Sequence, residues 1–181
     1  MTRLLTHTCL IGVMLGAWTY AQQANPSQRS RDLEARELAI PFKGITANGQ
    51  IEPGLFSLKS TGVSTEPVRK AAEAFLAALT ADQRRKTTFA HDAGEWRSWA
   101  NQSSYWPRGV SFGEMSDAQR EAALGMMRAG LSARGLALTE NIRKLNYTLG
   151  ELQNNDFTAH NEGRYHLTVM GTPSATEPWG W

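Results

Sequence analysis

Hydrophobic positions in the middle of the chain recur every three to four residues, which is the period of an amphipathic helix. This pattern predicts a helix from Glu66 to Leu79, with Thr65 as its cap and Pro67 tolerated in its first turn. Thr80 and Gln83 have the spacing of a capping box, which predicts a short second helix. The apolar face of the first helix consists of Val68, Ala71, Ala72, Phe75, Leu76 and Leu79.

Two more helices are predicted after Met115. Ser116 and Gln119 form a second capping box, and Gly135 stands where a left-handed residue would end that helix. Thr139 is then placed to cap the next helix. Because the connection is short, we expect the two helices to pack as a hairpin against a sheet. Their apolar faces are Ala122, Ala123, Met126, Met127 and Leu131 in the first, and Ile142, Leu145, Leu149 and Leu152 in the second.

Extended segments flank the helical middle. Asn48-Gly49 is a sequence typical of a tight hairpin turn, and it separates 41–46 from 50–51. Near the end, Tyr165, Leu167 and Val169 alternate with polar residues, which predicts a strand. The predicted fold class is α+β, with an N-terminal β-hairpin, three to four helices including a helical hairpin, and a late strand completing a small mixed or antiparallel sheet. We expect that strand to join the sheet of the hairpin.

The N-terminus predicts export. Arg3 precedes an apolar run from Leu4 to Trp18, which is shorter than the roughly twenty residues that a membrane span needs. A signal peptide over 1–21 fits this pattern and implies a periplasmic or extracellular protein with no membrane association after cleavage. Residues 22–39 form a polar leader, in which 31–39 can be a short charged helix. Residues 40–181 form a single α+β domain.

Composition limits the partners and the chemistry. The 19 basic and 17 acidic residues nearly balance, and the cluster at 83–86 in a short helix is a solvated face rather than a nucleic-acid site. We therefore expect no nucleic-acid partner. The single cysteine, Cys9, lies in the signal segment, so neither a disulfide nor a thiol nucleophile is expected in the mature domain.

Aromatic residues mark a candidate binding surface. Trp96, Trp99 and Trp106 fall in an irregular region, and Trp179 and Trp181 follow a segment rich in glycine and proline. Such rings can line a pocket for a small-molecule or carbohydrate-like ligand, or they can cover a small core. We take the five tryptophans as ligand-binding candidates, together with Arg164, which precedes the late strand.

His166 and Glu177 are the candidate catalytic pair. An imidazole and a carboxylate near one loop suit hydrolysis, so an extracytoplasmic hydrolase is slightly favoured over a non-catalytic ligand-binding protein. Ser174 lacks the glycine-flanked turn of a serine nucleophile and is expected to shape the loop instead. His160, Glu162 and His166 have no recognised metal-binding spacing, so no metal site is predicted.

Several motifs resemble one known family. They are Ile40-Pro41-Phe42-Lys43-Gly44-Ile45, Pro53-Gly54-Leu55-Phe56-Ser57, Thr61-Gly62-Val63-Ser64-Thr65, Gly109-Val110-Ser111-Phe112, Met170-Gly171-Thr172-Pro173-Ser174 and Pro178-Trp179-Gly180-Trp181. Together they are similar to the domain of unknown function 3500 family, DUF3500, from about Ile40 to Trp181. The resemblance implies that this chain is a C-terminally truncated member. Other members continue into further strands that include a Gly-His-His run, which is absent here and which could complete a metal site with His166 or Glu177. It implies no activity.

Overall fold

The computed structural model describes residues 26–44, 46–47, 49–55, 59, 61–98 and 107–181. The described residues separate into two compact units, 26–41 in one and those from 42 to 98 and from 107 to 181 in the other. In the first unit, helix α1 spans Pro26–Leu38. The helix therefore begins within the predicted polar leader, and side-chain bonds such as that from Gln28 Nε2 to Asp32 Oδ1, 2.8 Å, link its successive turns. The predicted signal peptide lies outside the described residues.

The second unit opens with the predicted hairpin. Strands β1 (Thr46–Ala47) and β2 (Gln50–Ile51) pair antiparallel, with Ala47 opposite Gln50. Gly49 has a φ of 77°, which is the left-handed conformation that the tight turn requires. The hairpin prediction is confirmed.

Two helices follow the hairpin. Helix α2 spans Glu66–Ala78, and helix α3 spans Ala81–Thr87 with the predicted capping box of Thr80 and Gln83. The predicted cap at Thr65 is wrong, because its side chain makes no capping bond. Ser64 supplies the acceptor instead, since the Glu66 amide donates to Ser64 Oγ at 3.2 Å.

The next two helices exist as predicted, but the boundary between them lies at other residues than predicted. Helix α4 spans Asp117–Gly130 with the predicted capping box of Ser116 and Gln119, and helix α5 spans Ala133–Leu152. Ser132 caps α5, because Ser132 Oγ accepts from the Gly135 amide at 3.1 Å. Gly135 thus lies inside the first turn of α5 and does not end α4. Thr139 is also internal, and its hydroxyl donates to the Gly135 carbonyl.

Four short strands complete the second unit. Strand β3 (Thr88–Phe89) pairs parallel with β6 (Val169–Met170), and β4 (Val110–Ser111) pairs antiparallel with β5 (His166–Leu167). The late strand is therefore divided at Thr168 between two small sheets. The expectation that it joins the sheet of the hairpin is wrong, because β1 and β2 pair only with each other among the described strands.

The core lies between α2, α4 and the short strands. Helices α2 and α4 form the most extensive helix contact, and α4 touches α5 much less. Phe75 and Met126 come from the two helices, and Val110 and Val169 come from β4 and β6; all four are fully buried. The α+β fold class is confirmed. No helix within the described ranges combines the length and the apolar character that crossing a bilayer requires.

The apolar stripe of α5 is not part of this core. Ile142, Leu145, Leu149 and Leu152 are between 38% and 79% exposed, so the prediction that they pack against a sheet is wrong. Instead, α5 contacts the rest of the domain through an adjacent face of the helix. There the Arg143 guanidinium lies 4.0 Å from the Phe112 ring centroid, and Asn146 Nδ2 donates to the Asn161 carbonyl at 2.8 Å.

Candidate functional site

The chain after β6 forms a closed loop at the surface of the second unit. Met170 and Gly180 form an antiparallel bridge, with N–O distances of 2.8 and 2.9 Å in the two directions. Gly171 turns the chain with a φ of 77°, and a side chain there would place its Cβ 2.7 Å from the Pro178 carbonyl oxygen. Only glycine fits this turn. The residues from 171 to 179 are therefore held at both ends.

Ser174 organises the interior of this loop. Its hydroxyl oxygen accepts from the amides of Thr176 and Glu177, at 3.1 and 3.0 Å, and its carbonyl accepts from Trp179 Nε1 at 2.9 Å. Such bonds between a serine side chain and nearby amides stabilise a turn. The bond from Trp179 Nε1 to the Ser174 carbonyl fixes the orientation of the Trp179 ring. Together these bonds support the expectation that Ser174 shapes the loop.

Trp181 packs against the end of helix α4. A Cβ added at Gly130 would lie 3.0 Å from Trp181 Cζ2 and 3.1 Å from Trp181 Nε1. The indole therefore lies against a position where even one methyl group would force it to move. The absence of a side chain at Gly130 is what lets the ring approach this helix.

These contacts create a concavity of about 620 Å³, here called the tryptophan concavity. This volume is in the range typical of small-molecule sites. Its walls come from the N-terminal end of α2 with Thr65 and Val68, from Gly130 at the end of α4, and from the loop. The complete lining among the described residues is Thr65, Val68, Gly130, Ser174, Ala175, Thr176, Glu177, Pro178, Trp179, Gly180 and Trp181.

Three of the predicted site residues thus meet in one place. Glu177, Trp179 and Trp181 line the same concavity, and Glu177 is exposed to solvent. Ser174, Thr176 and Thr65 add hydroxyl groups to the wall. The arrangement offers indole surface, hydroxyls and one carboxylate, which can contact a ligand that has both apolar and hydrogen-bonding faces.

His166 belongs to a different cluster. It lies in β5 opposite Ser111 of β4, and it is not one of the described residues that line the tryptophan concavity. Ser111 donates from both its amide and its hydroxyl to Glu114 Oε2, each at 2.9 Å. The other carboxylate oxygen of Glu114 forms an ion pair with Lys86.

The pKa values in this cluster follow from its contacts. Burial raises the pKa of the Glu114 carboxyl, but the Lys86 ammonium and the two Ser111 hydrogen bonds outweigh it and lower the pKa from 4.5 to about 2. Burial lowers the pKa of His166, against the opposing effects of the Arg164 carbonyl and the Glu114 charge. His166 Nδ1 lies 3.1 Å from that carbonyl, which can only accept, so the contact places a proton on Nδ1.

The remaining predicted ligand-binding residues lie elsewhere. Trp96 packs edge-on against Phe42, with ring centroids 4.7 Å apart, and does not line the tryptophan concavity. Arg164 Nη1 donates to the Thr158 carbonyl at 2.8 Å, so this guanidinium supports its own loop. Trp99 and Trp106 lie outside the described residues.

The described residues contain no group of three or more histidine, cysteine, aspartate or glutamate side chains arranged to hold a metal ion. In the segment that follows α5, the backbones of His160 and Glu162 make packing contacts. The His160 carbonyl lies near Gly150, and the Glu162 carbonyl accepts from Arg143 Nε at 3.2 Å. Their side chains are not part of the tryptophan concavity.

Sequence reasoning missed Thr65, Val68 and Gly130 as parts of the wall. Their signals in the sequence have local explanations, since Thr65 precedes a helix, Val68 belongs to an apolar stripe and Gly130 ends a helix. Only the folded chain brings them to the tryptophans. No local motif could have identified them.

The comparisons with known proteins give one match. A family model described as "Protein of unknown function (DUF3500)" matches residues 61–181, which is most of the chain, so the chain belongs to this family. The family resemblance seen in the sequence is thereby confirmed. No curated protein and no solved structure matches the chain.

Proposed function

We propose that this member of the DUF3500 family is an exported ligand-binding protein, and that a small molecule of carbohydrate-like chemistry binds in the tryptophan concavity. The proposal rests on the observation that the loop is held in place by its own hydrogen bonds. The Met170–Gly180 bridge closes the loop, the Ser174 carbonyl fixes the Trp179 indole, and the Trp181 indole lies against Gly130, so two indoles stand beside a concavity of about 620 Å³ before any ligand arrives. A preformed site loses little conformational entropy on binding, which favours affinity.

The chemistry of the wall supports a carbohydrate-like ligand. Indoles offer broad apolar surfaces for the C–H face of a sugar ring, and nearby polar groups can bond its hydroxyls. Thr65, Thr176 and Glu177 are such groups, and all three are exposed at the concavity. The carboxylate accepts hydrogen bonds, whereas the threonine hydroxyls both donate and accept.

The distribution of candidate catalytic groups favours binding over hydrolysis. A hydrolytic serine needs a base within hydrogen-bond reach, yet the Ser174 hydroxyl oxygen already accepts from two amides of its own loop. His166, the candidate base, belongs to the cluster with Ser111 and Glu114. The hydrolase therefore remains the second prediction, and Glu177 is the one candidate acid or base among the described residues that line the concavity.

A titration with defined sugars tests the proposal. Maltose, cellobiose and diacetylchitobiose are each titrated into the mature protein and followed by calorimetry and by saturation-transfer NMR. We expect at least one dissociation constant below about 1 mM, as a small open site can provide. The absence of any binding at that concentration would exclude the carbohydrate-like ligand.

Two tryptophan variants locate the binding. Trp181→Ala removes an indole from the tryptophan concavity and is expected to weaken binding about tenfold or more. Trp96→Ala is the matched control, because Trp96 is similarly exposed but lies against Phe42. Equal losses in the two variants would place the ligand elsewhere.

Turnover separates the two functions. The same sugars, and chromogenic glycosides and esters, are incubated with the wild type, Glu177→Gln and His166→Ala. A binding protein releases no product in any of the three. Product formation that Glu177→Gln abolishes while binding persists would establish the hydrolase instead.

Export is tested on the expressed protein. A chain that begins at Gln22 in the periplasm or medium, as read by N-terminal sequencing, would support the signal peptide over 1–21. Retention of Met1 in the cytoplasm would contradict it.

A further inference from the structure

The exposed apolar stripe on helix α5 has the pattern of a coiled-coil seam. Its members are spaced by four, three, four and three residues, which is the alternation of the a and d positions of a heptad. All five are large and between 38% and 79% exposed. They are Leu138, Ile142, Leu145, Leu149 and Leu152, here called the leucine seam.

The domain itself packs against another face of the same helix. Thr139, Arg143, Asn146 and Gly150 follow the seam residues by one position and are partly or fully buried. A Cβ on Gly150 would lie 2.7 Å from the His160 carbonyl oxygen, so this face is in close contact with the following loop. Over this stretch the helix therefore turns Thr139, Arg143, Asn146 and Gly150 inward and the five seam residues outward.

We propose that the leucine seam is the dimer interface of this protein, covered by the seam of a second copy. A contiguous row of five exposed aliphatic side chains is unusual on a monomer and marks an interaction surface. The heptad alternation is complementary to itself, because each a or d side chain fits between residues of an identical helix.

The charges around the seam fit an identical partner. The residues in the flanking e and g positions are Thr139, Asn141, Asn146 and Thr148, and all four are uncharged. Two identical helices bring the e and g side chains of one copy beside those of the other, so edges that carry a single sign of charge would repel each other. Here no such repulsion arises. A helix that lies on a lipid surface would instead carry lysine or arginine along these edges.

The length of the seam sets the strength of the contact. From Leu138 to Leu152 the helix rises about 21 Å, which is two heptads. A seam this short buries less than the interface of a stable obligate dimer, so we expect a dissociation constant in the micromolar range, about 1 to 100 µM.

Sedimentation velocity over a concentration series tests the proposal on the mature protein. The wild type is measured from about 1 µM to about 1 mM, which spans the expected constant. We expect a monomer at the lowest concentration and a dimer at the highest. A monomer over the whole series would overturn the proposal.

Two matched glutamate substitutions on α5 identify the interface. Leu145→Glu places a carboxylate in the centre of the seam and is expected to weaken the dimer about tenfold or more. Ala137→Glu adds the same charge at an exposed position of α5 outside the seam, and its dimer is expected to match the wild type. A dimer that Leu145→Glu leaves unchanged would overturn the proposal.

Two controls keep these outcomes unambiguous. Because Leu145 is 65% exposed, Leu145→Glu should keep the melting temperature of the monomer at low concentration. A variant that unfolds is replaced by Leu149→Gln, which is judged by the same dimer measurement. Co-sedimentation of the wild type with phosphatidylglycerol vesicles, in a protein that stays monomeric, would assign the seam to a lipid surface and overturn the dimer.

Discussion

Helices α2 and α5 carry similar apolar stripes in the sequence and place them in opposite environments. In α2 the stripe is buried, with Ala72 and Phe75 fully inaccessible. In α5 the corresponding stripe faces solvent, and Leu145 is 65% exposed. The comparison shows that periodicity identifies which residues share a face, whereas the direction of that face depends on what the rest of the chain offers it.

The reason for the difference lies in the partners of each helix. Helix α2 lies along α4, which presents Ala123, Met126 and Met127 to it, so apolar contact decides the packing. Helix α5 meets the polar loop that follows it. Arg143 and Asn146 bond to carbonyls of that loop, and the absence of a side chain at Gly150 allows close approach.

The largest expected effect comes from removing apolar volume on α2, with the same kind of change on α5 as its comparison. Phe75→Ala opens a cavity in the core and should lower the free energy of unfolding by about 3–5 kcal/mol. Leu145→Ala should change it by less than about 0.5 kcal/mol, because the side chain is mostly exposed in the monomer. Urea unfolding at low protein concentration measures both values. Equal losses would show that the stripe of α5 is buried in the monomer after all.

The inward face of α5 gives the next effect. Gly150→Ala introduces a Cβ 2.7 Å from the His160 carbonyl oxygen and 2.8 Å from Phe157 Cδ1. We expect a loss of about 1–3 kcal/mol in the free energy of unfolding, despite the higher helix propensity of alanine. Thermal unfolding monitored by circular dichroism measures it. A stabilised variant would mean that the helix does not press on this loop.

Substitutions at the N-terminal caps of α2 and α4 should have smaller effects on the free energy of unfolding. Ser116→Ala removes the capping bond of α4 and should cost about 1 kcal/mol. Thr65→Ala removes no capping bond from α2 and should remain within about 0.5 kcal/mol of the wild type. The same thermal unfolding experiment decides between them. A larger loss at Thr65 would contradict the assignment of Ser64 as the acceptor.

The smallest effect concerns acid stability. The pKa of Glu114 is about 2 in the folded protein and 4.5 in its ordinary state, so its contribution to stability is complete above pH 4.5 and is lost as the pH falls toward 2. Glu114→Gln should therefore flatten the fall of the melting temperature between these values. The effect is modest because 46% of the side chain is exposed.

A second substitution tests the stated cause of that acid dependence. Lys86→Met removes the ion-pair partner and should flatten the same part of the melting profile, though less than Glu114→Gln does, because the Ser111 hydrogen bonds persist. An unchanged slope in Lys86→Met would remove the ion pair from the explanation.

The features that sequence reasoning predicted well are those fixed by neighbours in the chain. The capping boxes at Thr80 and Ser116 and the turn at Gly49 depend on residues two or three positions apart. The boundary between α4 and α5 was misplaced for a related reason. Ser132 is followed three residues later by Gly135, which lacks the side chain that makes a capping box recognisable.

The features that sequence reasoning could not predict depend on distant partners. Strands of two residues carry too little pattern to reveal that β6 pairs with β3 while β5 pairs with β4. That division separates His166 from Glu177, which the sequence had grouped as a catalytic pair. Trp179, Trp181 and Glu177 were identified together because one local loop holds them, whereas Gly130 was missed because its contact with Trp181 joins distant parts of the chain.

The bridge between Met170 and Gly180 makes the loop a replaceable module. Its anchors are Gly171, Ser174 and Trp179, while Ala175, Thr176 and Pro178 are exposed between them. A library randomised at those exposed positions would keep the anchors and change only the exposed rim. Under the proposed ligand-binding function, such a library would retarget the loop to other molecules.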